Sequence, residues 1–213
     1  MDEDADPAAR ESRGIALVIL AAGESSRLGQ CKALVPVTPR TPLELLLDAG
    51  AVLRGPQPLV ITGADHESIT AAAGDRAEIA LNPRWSAGRT GGVLLAARSR
   101  RGYDLCVAPV DTPLVPSEVF AALARRWLEA GSPAQGWAAP WVYAEGGARA
   151  FGHPVLLGRG LASRIAETGP EAPLRVLRAL ADPLLAVEVA TRAILDDLDL
   201  PGDLLELRTR PPV

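Results

Sequence analysis

The stretch Ile15-Ala16-Leu17-Val18-Ile19-Leu20-Ala21-Ala22-Gly23-Glu24-Ser25-Ser26-Arg27-Leu28-Gly29-Gln30-Cys31-Lys32 decides how the chain is read. Its first six residues, Ile15 to Leu20, are an unbroken aliphatic run. That is the pattern of a central strand covered on both faces, not of one that alternates between core and water. The run gives way to small and polar residues broken by Gly23 and Gly29, so the backbone can turn sharply and aim several N–H groups at one anion. Leu20 to Lys32 therefore reads as a phosphate-binding loop at the end of a strand, with Arg27 and Lys32 adding full positive charge. Lys32 is the only lysine in a chain that otherwise takes its cations as arginine. A compact ammonium can reach between phosphate groups where a wide guanidinium fork does not fit, so its placement here carries information.

Outward from this stretch, strands and helices alternate. Leu59 to Thr62, Glu78 to Leu81 and Tyr103 to Val110 read as strands. Helices are predicted over Leu43 to Ala49, over His66 to Ala73, and from Pro116-Ser117-Glu118 to Ala130, with Trp127 in the core. Such alternation favours an α/β fold with a parallel sheet and right-handed crossovers. The strand ending at Val110 delivers Asp111 at its carboxyl end, where open α/β sheets bind their ligands. Ser86 to Gly92 reads as a second glycine-rich loop before a helix-favouring run, Val93 to Ala97. Arg98, Arg100 and Arg101 would complement that helix's C-terminus. From Ser132 to Val155, aromatic residues among glycines and prolines suggest short antiparallel strands. Helices over Gly160 to Glu167 and Pro173 to Leu180, a strand over Leu184 to Val189, and a short helix after the acidic turn Asp196 to Asp203 complete the expected order.

At 213 residues and 48% hydrophobic positions, the chain is long enough for one domain with a sizeable core. Residues 14–213 are expected to form it, behind a disordered acidic leader at 1–13. A net charge of -4 supplies no basic field for nucleic acid, and the run Ile15 to Ala22 is too short to span a bilayer. Cys31 and Cys106 form no CxxC pair and the chain has two histidines, which argues against a disulfide framework or a Cys/His zinc site. Plain thiols in a reducing cytoplasm fit better.

Two backbone-rich loops, a point-charge lysine and carboxylates at two chain positions suit a nucleoside triphosphate with its magnesium. The first loop and Lys32 would hold the β and γ phosphates and disperse the charge that builds on leaving pyrophosphate, while hard carboxylate oxygens keep Mg2+ beside the α phosphate. Positioning and electrostatics then supply most of the rate, so no Ser/His/Asp constellation is needed. A dinucleotide fold would want paired glycines after the first strand, and a Walker loop would place glycine directly before Lys32. The chain has neither.

Leu20 to Lys32 resembles the L-A-A-G-x-S-x-R-M-G-x-x-K signature of the small nucleotidyltransferases of the molybdenum cofactor, with Leu28 in place of Met. Val60 to Asp65, Asn82-Pro83-Arg84-Trp85, Val110 to Val115, Gly152-His153-Pro154-Val155 and Asp197 to Pro201 occur in that family's order. The match is closest to the cytidylyltransferase branch. It implies a nucleotide-diphospho-sugar-transferase-like fold, a three-layer α/β/α arrangement with a mostly parallel mixed sheet. It also implies transfer of CMP from CTP to molybdopterin-bound molybdenum, with pyrophosphate released and a molybdoenzyme-maturation partner as a possible recipient of the product. By the same resemblance, the backbone of Leu20, Ala21, Ala22 and Gly23 reads the base, and Glu24, Ser25, Gly63, Asn82 and Gly88 also line the nucleotide. Arg27 and Lys32 hold the triphosphate, and His153 lines the acceptor side or is a structural histidine of its turn.

For the metal, the resemblance makes Asp111 the first ligand and puts the second at Asp199 in preference to Asp197, although spacing leaves that choice open. Asp196, Asp197 and Asp203 also read as a solvated acidic face or helix cap. The chain departs from the pattern G-M-x-S-S-L with Gly88-Arg89-Thr90-Gly91-Gly92-Val93, which opens the choice of base to GTP. Leu200 stands where the family has threonine. Another phosphorylated acceptor, such as a sugar 1-phosphate, or a non-catalytic nucleotide-binding regulator are the competing readings.

Overall fold

The structure is a computed structural model that describes residues 14–169 and 173–210. The leader expected at 1–13 lies outside them. Eight strands form one sheet: β1 (Ile15–Ala21), β2 (Leu59–Thr62), β3 (Glu78–Leu81), β4 (Asp104–Pro109), β5 (Trp137–Tyr143), β6 (Arg149–Phe151), β7 (Val155–Leu157) and β8 (Leu184–Glu188). Their order is β3-β2-β1-β4-β7-β5-β6, with β8 paired to β5. The first four are mutually parallel, and β7 joins β4 and β5 antiparallel. The sheet is thus mixed and mostly parallel in its first half, as expected, and the Trp137 to Val155 region supplies the antiparallel pairs.

The aliphatic run of β1 is explained by what covers it. Ile15, Leu17, Ile19 and Ala21 enter one core with Leu43, Leu46 and Leu47 of α1 (Pro42–Gly50) and Phe120, Leu123 and Trp127 of α4 (Ser117–Glu129). Ala16 and Val18 enter a second core with Val93, Leu94 and Ala96 of α3 (Arg89–Ser99) and Leu161 of α5 (Arg159–Ser163). Helices therefore lie on both faces, giving three layers. A third, smaller cluster joins Leu28, Val35 and Val37 to Leu198, Leu204 and Leu207, and so seats the C-terminal helix α8 (Pro201–Thr209) against the segment around the first loop.

Three local expectations are corrected. Ser86 to Gly92 is not an open loop, because Trp85–Ala87 form a 3-10 turn and α3 begins at Arg89. A Cβ at Gly92 would stand 3.2 Å from Ile61 Cγ2, so glycine here lets the helix close on the sheet. Arg100 does more than complement the helix end: it is buried, and it donates to Glu78 Oε2 and to the Gln57 carbonyl, both at 2.9 Å, fastening α3 to β3. Gly160 to Glu167 is not one helix but two short ones, α5 and α6 (Ile165–Thr168), broken at Arg164. α2 (His66–Ala73) and α7 (Leu174–Ala179) fall where helices were predicted, and α8 begins at Pro201, inside the expected acidic turn and not after it.

Candidate nucleotide and metal site

The chain runs from β1 outward through β2 and β3, then returns to place β4 on the other side of β1. The crevice at the carboxyl ends of β1 and β4 is therefore the point where strand order reverses, the usual ligand position in such sheets. The loop after β1 opens into it. Ser25 is in the left-handed region at φ 57°, and its Oγ accepts from the Lys32 backbone N–H at 3.1 Å, while Leu28 and Gly29 donate to its carbonyl at 3.1 and 3.0 Å. Ser25 thus clasps the loop on which Lys32 stands. Gly63 closes the floor: a Cβ there would meet the Ala22 carbonyl oxygen at 2.2 Å and Trp85 Cγ at 2.6 Å. Cys31 accompanies Lys32 but is half-buried, and burial with a hydrogen bond to Asp65 pushes its thiol up to about 11.

Asp111 follows β4, whose line continues when Val110 donates to the Leu20 carbonyl at 3.1 Å. The acidic turn is brought to it by a single backbone bond, Leu198 N–H to the Asp111 carbonyl at 2.8 Å. As a result, one carboxylate oxygen each from Asp111, Asp197 and Asp199 lies within 4.8 Å of the others. The remaining acids of the turn have structural partners. Asp203 accepts from the Asp199 and Leu200 N–H groups at 2.9 and 2.6 Å and caps α8, and Asp196 takes both oxygens to Arg210 Nη1 at 2.6 and 2.8 Å.

Cations meet this cluster from two sides. Lys32 Nζ pairs with Asp199 Oδ1, and Arg27 Nη2 lies 2.5 Å from Asp199 Oδ2. The hydrogen bond from Lys32 is the main reason that the Asp199 carboxyl is held below the usual range. Arg89 Nη2 lies 2.6 Å from Asp111 Oδ2. Asp197 moves the other way: partial burial, then the neighbouring charges of Asp199 and Asp111, push its carboxyl up.

Beside the cluster is a pocket of about 180 Å³, lined in part by Leu20, Ala22, Gly23, Ser25, Lys32 and Asp111. Asn82 and Gly88 line it too. Asn82 is buried; its Oδ1 accepts from Arg84 N–H at 3.1 Å, while its Nδ2 has no partner. Gly88, at φ 121°, turns the chain into α3. Of the other expected residues, Ala21 is buried in β1, Glu24 is exposed and Gly63 is buried against Ala22 and Trp85, outside the pocket lining. Arg27 is at the outer side, on Asp199. His153 lines a separate adjoining cavity of about 420 Å³; its Nδ1 is buried without a partner, and burial depresses its basicity. Trp85 and Arg89 also line the pocket, though the sequence had assigned them no role.

A larger cavity of about 850 Å³ lies elsewhere, between α1, the segment after Asp111 and α8. Its carboxylates are taken by its own arginines, Asp48 by Arg40 and Asp196 and Glu206 by Arg210, while Arg192 donates to the Tyr143 carbonyl at 3.2 Å, so it offers no comparable convergence.

Loop, lysine and carboxylates at a sheet's reversal point define the class as a nucleotidyltransferase. The chain belongs to the family of the MobA-like NTP transferase domain, whose model matches residues 17–186. No curated protein matches the sequence. Among solved structures, Rv0371c from Mycobacterium tuberculosis is similar at 23% identity and a TM-score of 0.74, over 93% of this chain and 99% of that one. The same protein has also been solved as a complex with manganese. The 2-C-methyl-D-erythritol 4-phosphate cytidylyltransferase of Thermus thermophilus superposes with a TM-score of 0.69 at 19% identity, over 90% of this chain and 96% of that one. Molybdopterin-guanine dinucleotide biosynthesis protein A of Archaeoglobus fulgidus gives 0.66 at 18% identity, over 91% and 96%. Likeness at this level bears on the fold, which agrees with the nucleotide-diphospho-sugar-transferase-like expectation. No described helix is long and apolar enough to cross a membrane.

Proposed function

We propose that this protein, with residues 14–213 acting as one unit, is a Mg2+-dependent cytidylyltransferase of the cytoplasm. It would move CMP from CTP onto the molybdopterin phosphate of the molybdopterin-bound molybdenum acceptor and release pyrophosphate. The observation that carries this reading is the meeting of Lys32 and Arg27 with the carboxylates of Asp111, Asp197 and Asp199 beside the loop pocket. Three hard oxygen donors within 4.8 Å fit a divalent cation, and the Asp197 carboxyl, pushed up first by partial burial and then by the charges of Asp199 and Asp111, lies where such a cation would offset both. When bound there, the cation supplies charge neutralisation at the α phosphate.

The chain's own residues account for the rest. Lys32 and Arg27 exchange Asp199 for the triphosphate, and the backbone of Ala22 to Ser25 faces the phosphates. An oxygen of the acceptor phosphate attacks the α phosphorus, the bond from that phosphorus to the bridging oxygen breaks, and the electron pair leaves with pyrophosphate. Lys32 meets the charge that grows on the leaving group. His153 belongs to the adjoining cavity, on the acceptor side. The unpartnered Nδ2 of buried Asn82 favours a base that presents a carbonyl oxygen, a property shared by cytosine and guanine.

The test is a screen of the four NTPs for pyrophosphate release, each alone, with molybdopterin and with a sugar 1-phosphate. The expected result is turnover with CTP that requires molybdopterin. Turnover with GTP would replace the base, turnover only with a sugar 1-phosphate would replace the acceptor, and nucleotide binding without any turnover would leave a regulator.

A further inference from the structure

Arg89 is the residue that the nucleotidyl-transfer reading leaves unexplained. It stands where the resembling family has methionine, and it occupies the first position of α3, where a positive charge opposes the helix dipole. Helix stability therefore does not account for it. Its guanidinium holds Asp111, yet its side chain is 57% exposed while that of Asp111 is 11% exposed, so the arginine is the partner with room to move. It also lines both cavities, the loop pocket and the neighbouring one of about 420 Å³.

That second cavity has an apolar floor of Leu20, Val107, Pro109, Trp137 and Val155. Arg175 and Arg178 of α7 line it as well, both exposed, and no described residue offers either of them a carboxylate. Arg178 also lies over the Phe151 ring, 5.3 Å from its centre. An apolar floor with guanidinium groups at its edge suits a ligand with an apolar body and a phosphate, since planar forks bind phosphate through two parallel hydrogen bonds.

We propose that Arg89 couples the two sites. Metal-free, it neutralises Asp111; when a divalent cation takes Asp111, the guanidinium is released and turns to the phosphate of an acceptor in the apolar cavity, beside Arg175 and Arg178. Metal and acceptor then bind cooperatively, each strengthening the other by the same factor. Arg89 is on this account a positioning and specificity residue. The inference rests on the nucleotidyltransferase reading for the metal's place at Asp111.

The test measures Mn2+ affinity by electron paramagnetic resonance in the full chain without nucleotide, alone and with phenyl phosphate as the probe. Wild type should bind Mn2+ about threefold to fivefold more tightly with phenyl phosphate present, a coupling of the size that partly exposed ion pairs support. Arg89→Met should bind Mn2+ alone more tightly than wild type, by a similar factor, and lose the coupling. The double variant Arg175→Gln/Arg178→Gln should keep the wild-type Mn2+ affinity and weaken the coupling, which separates this cavity from the triphosphate loop. Arg89→Met with wild-type Mn2+ affinity and wild-type coupling would overturn the proposal and leave the transferase reading standing. Wild type and Asp111→Asn binding Mn2+ equally would overturn the metal site, and the coupling with it.

Discussion

Lys32, on the loop after the first strand, is ion-paired through Nζ to Asp199, which lies 167 residues further along the chain. The pair joins side chains from opposite ends of the sequence at the end of β1 and keeps the ammonium beside the acidic cluster. On this account the ammonium favours the transition state over the ground state, because it meets charge that grows only as the bond breaks. Lys32→Ala should lower kcat by about 10²-fold to 10³-fold. Nucleotide Kd should change much less, since Arg27 and the loop backbone remain. Lys32→Arg should recover little of the rate, because a planar fork does not replace a point charge. A near-wild-type single-turnover rate for Lys32→Arg would reduce the site to net charge.

The two acids of the last turn should differ. Asp199 holds Lys32 and Arg27 as well as facing the cluster, whereas Asp197 has no hydrogen-bond partner among the described residues. Asp199→Ala should therefore lower kcat/KM about 10-fold more than Asp197→Ala. The reverse order in steady-state kinetics would move the second metal position to Asp197.

CTP should outcompete GTP for the loop pocket, and ATP should bind worst. Asn82→Ala removes the unpartnered amide donor and should weaken CTP binding by about 10-fold, the upper range for one neutral hydrogen bond. Competition titrations decide the order, and GTP displacing CTP would reassign the base.

Stability has its own test, away from the site. Buried Asp104 accepts from Trp127 Nε1 at 2.8 Å, from Arg159 N–H at 2.9 Å and from Arg159 Nη1 at 3.2 Å, so it joins β4, α4 and α5. Asp104→Ala strands these donors and should cost about 3 kcal/mol. Urea unfolding checks it, and an unchanged midpoint would show that the donors find other partners.

Much of this was legible along the chain. β2, β3 and α2 fall at their expected bounds because local patterning is clear there, in buried β2 and equally in edge strand β3, whose Glu78 and Leu81 are exposed. Leu20 to Lys32 and Asp111 were readable because each follows a recognisable strand. The remainder depends on distant partners. Asp196, Asp197, Asp199 and Asp203 are alike in sequence, and only the Leu198 bond to Asp111, the Arg210 pair and the α8 cap sort them. Gly92 reads as loop because its close packing on Ile61 leaves no mark nearby in the sequence. Asp104 gave no local signal, and Arg89 showed only as a departure from the resembling family's pattern, since their partners are far away in sequence.

The most direct measurement tracks the phosphorus atoms by 31P NMR as wild-type protein turns over CTP with Mg2+ and molybdopterin. The account predicts one equivalent of pyrophosphate for each phosphate-bridged CMP product, and no product from Asp111→Asn at an unchanged melting temperature. Release of inorganic phosphate in place of pyrophosphate, or full turnover by Asp111→Asn, would contradict it.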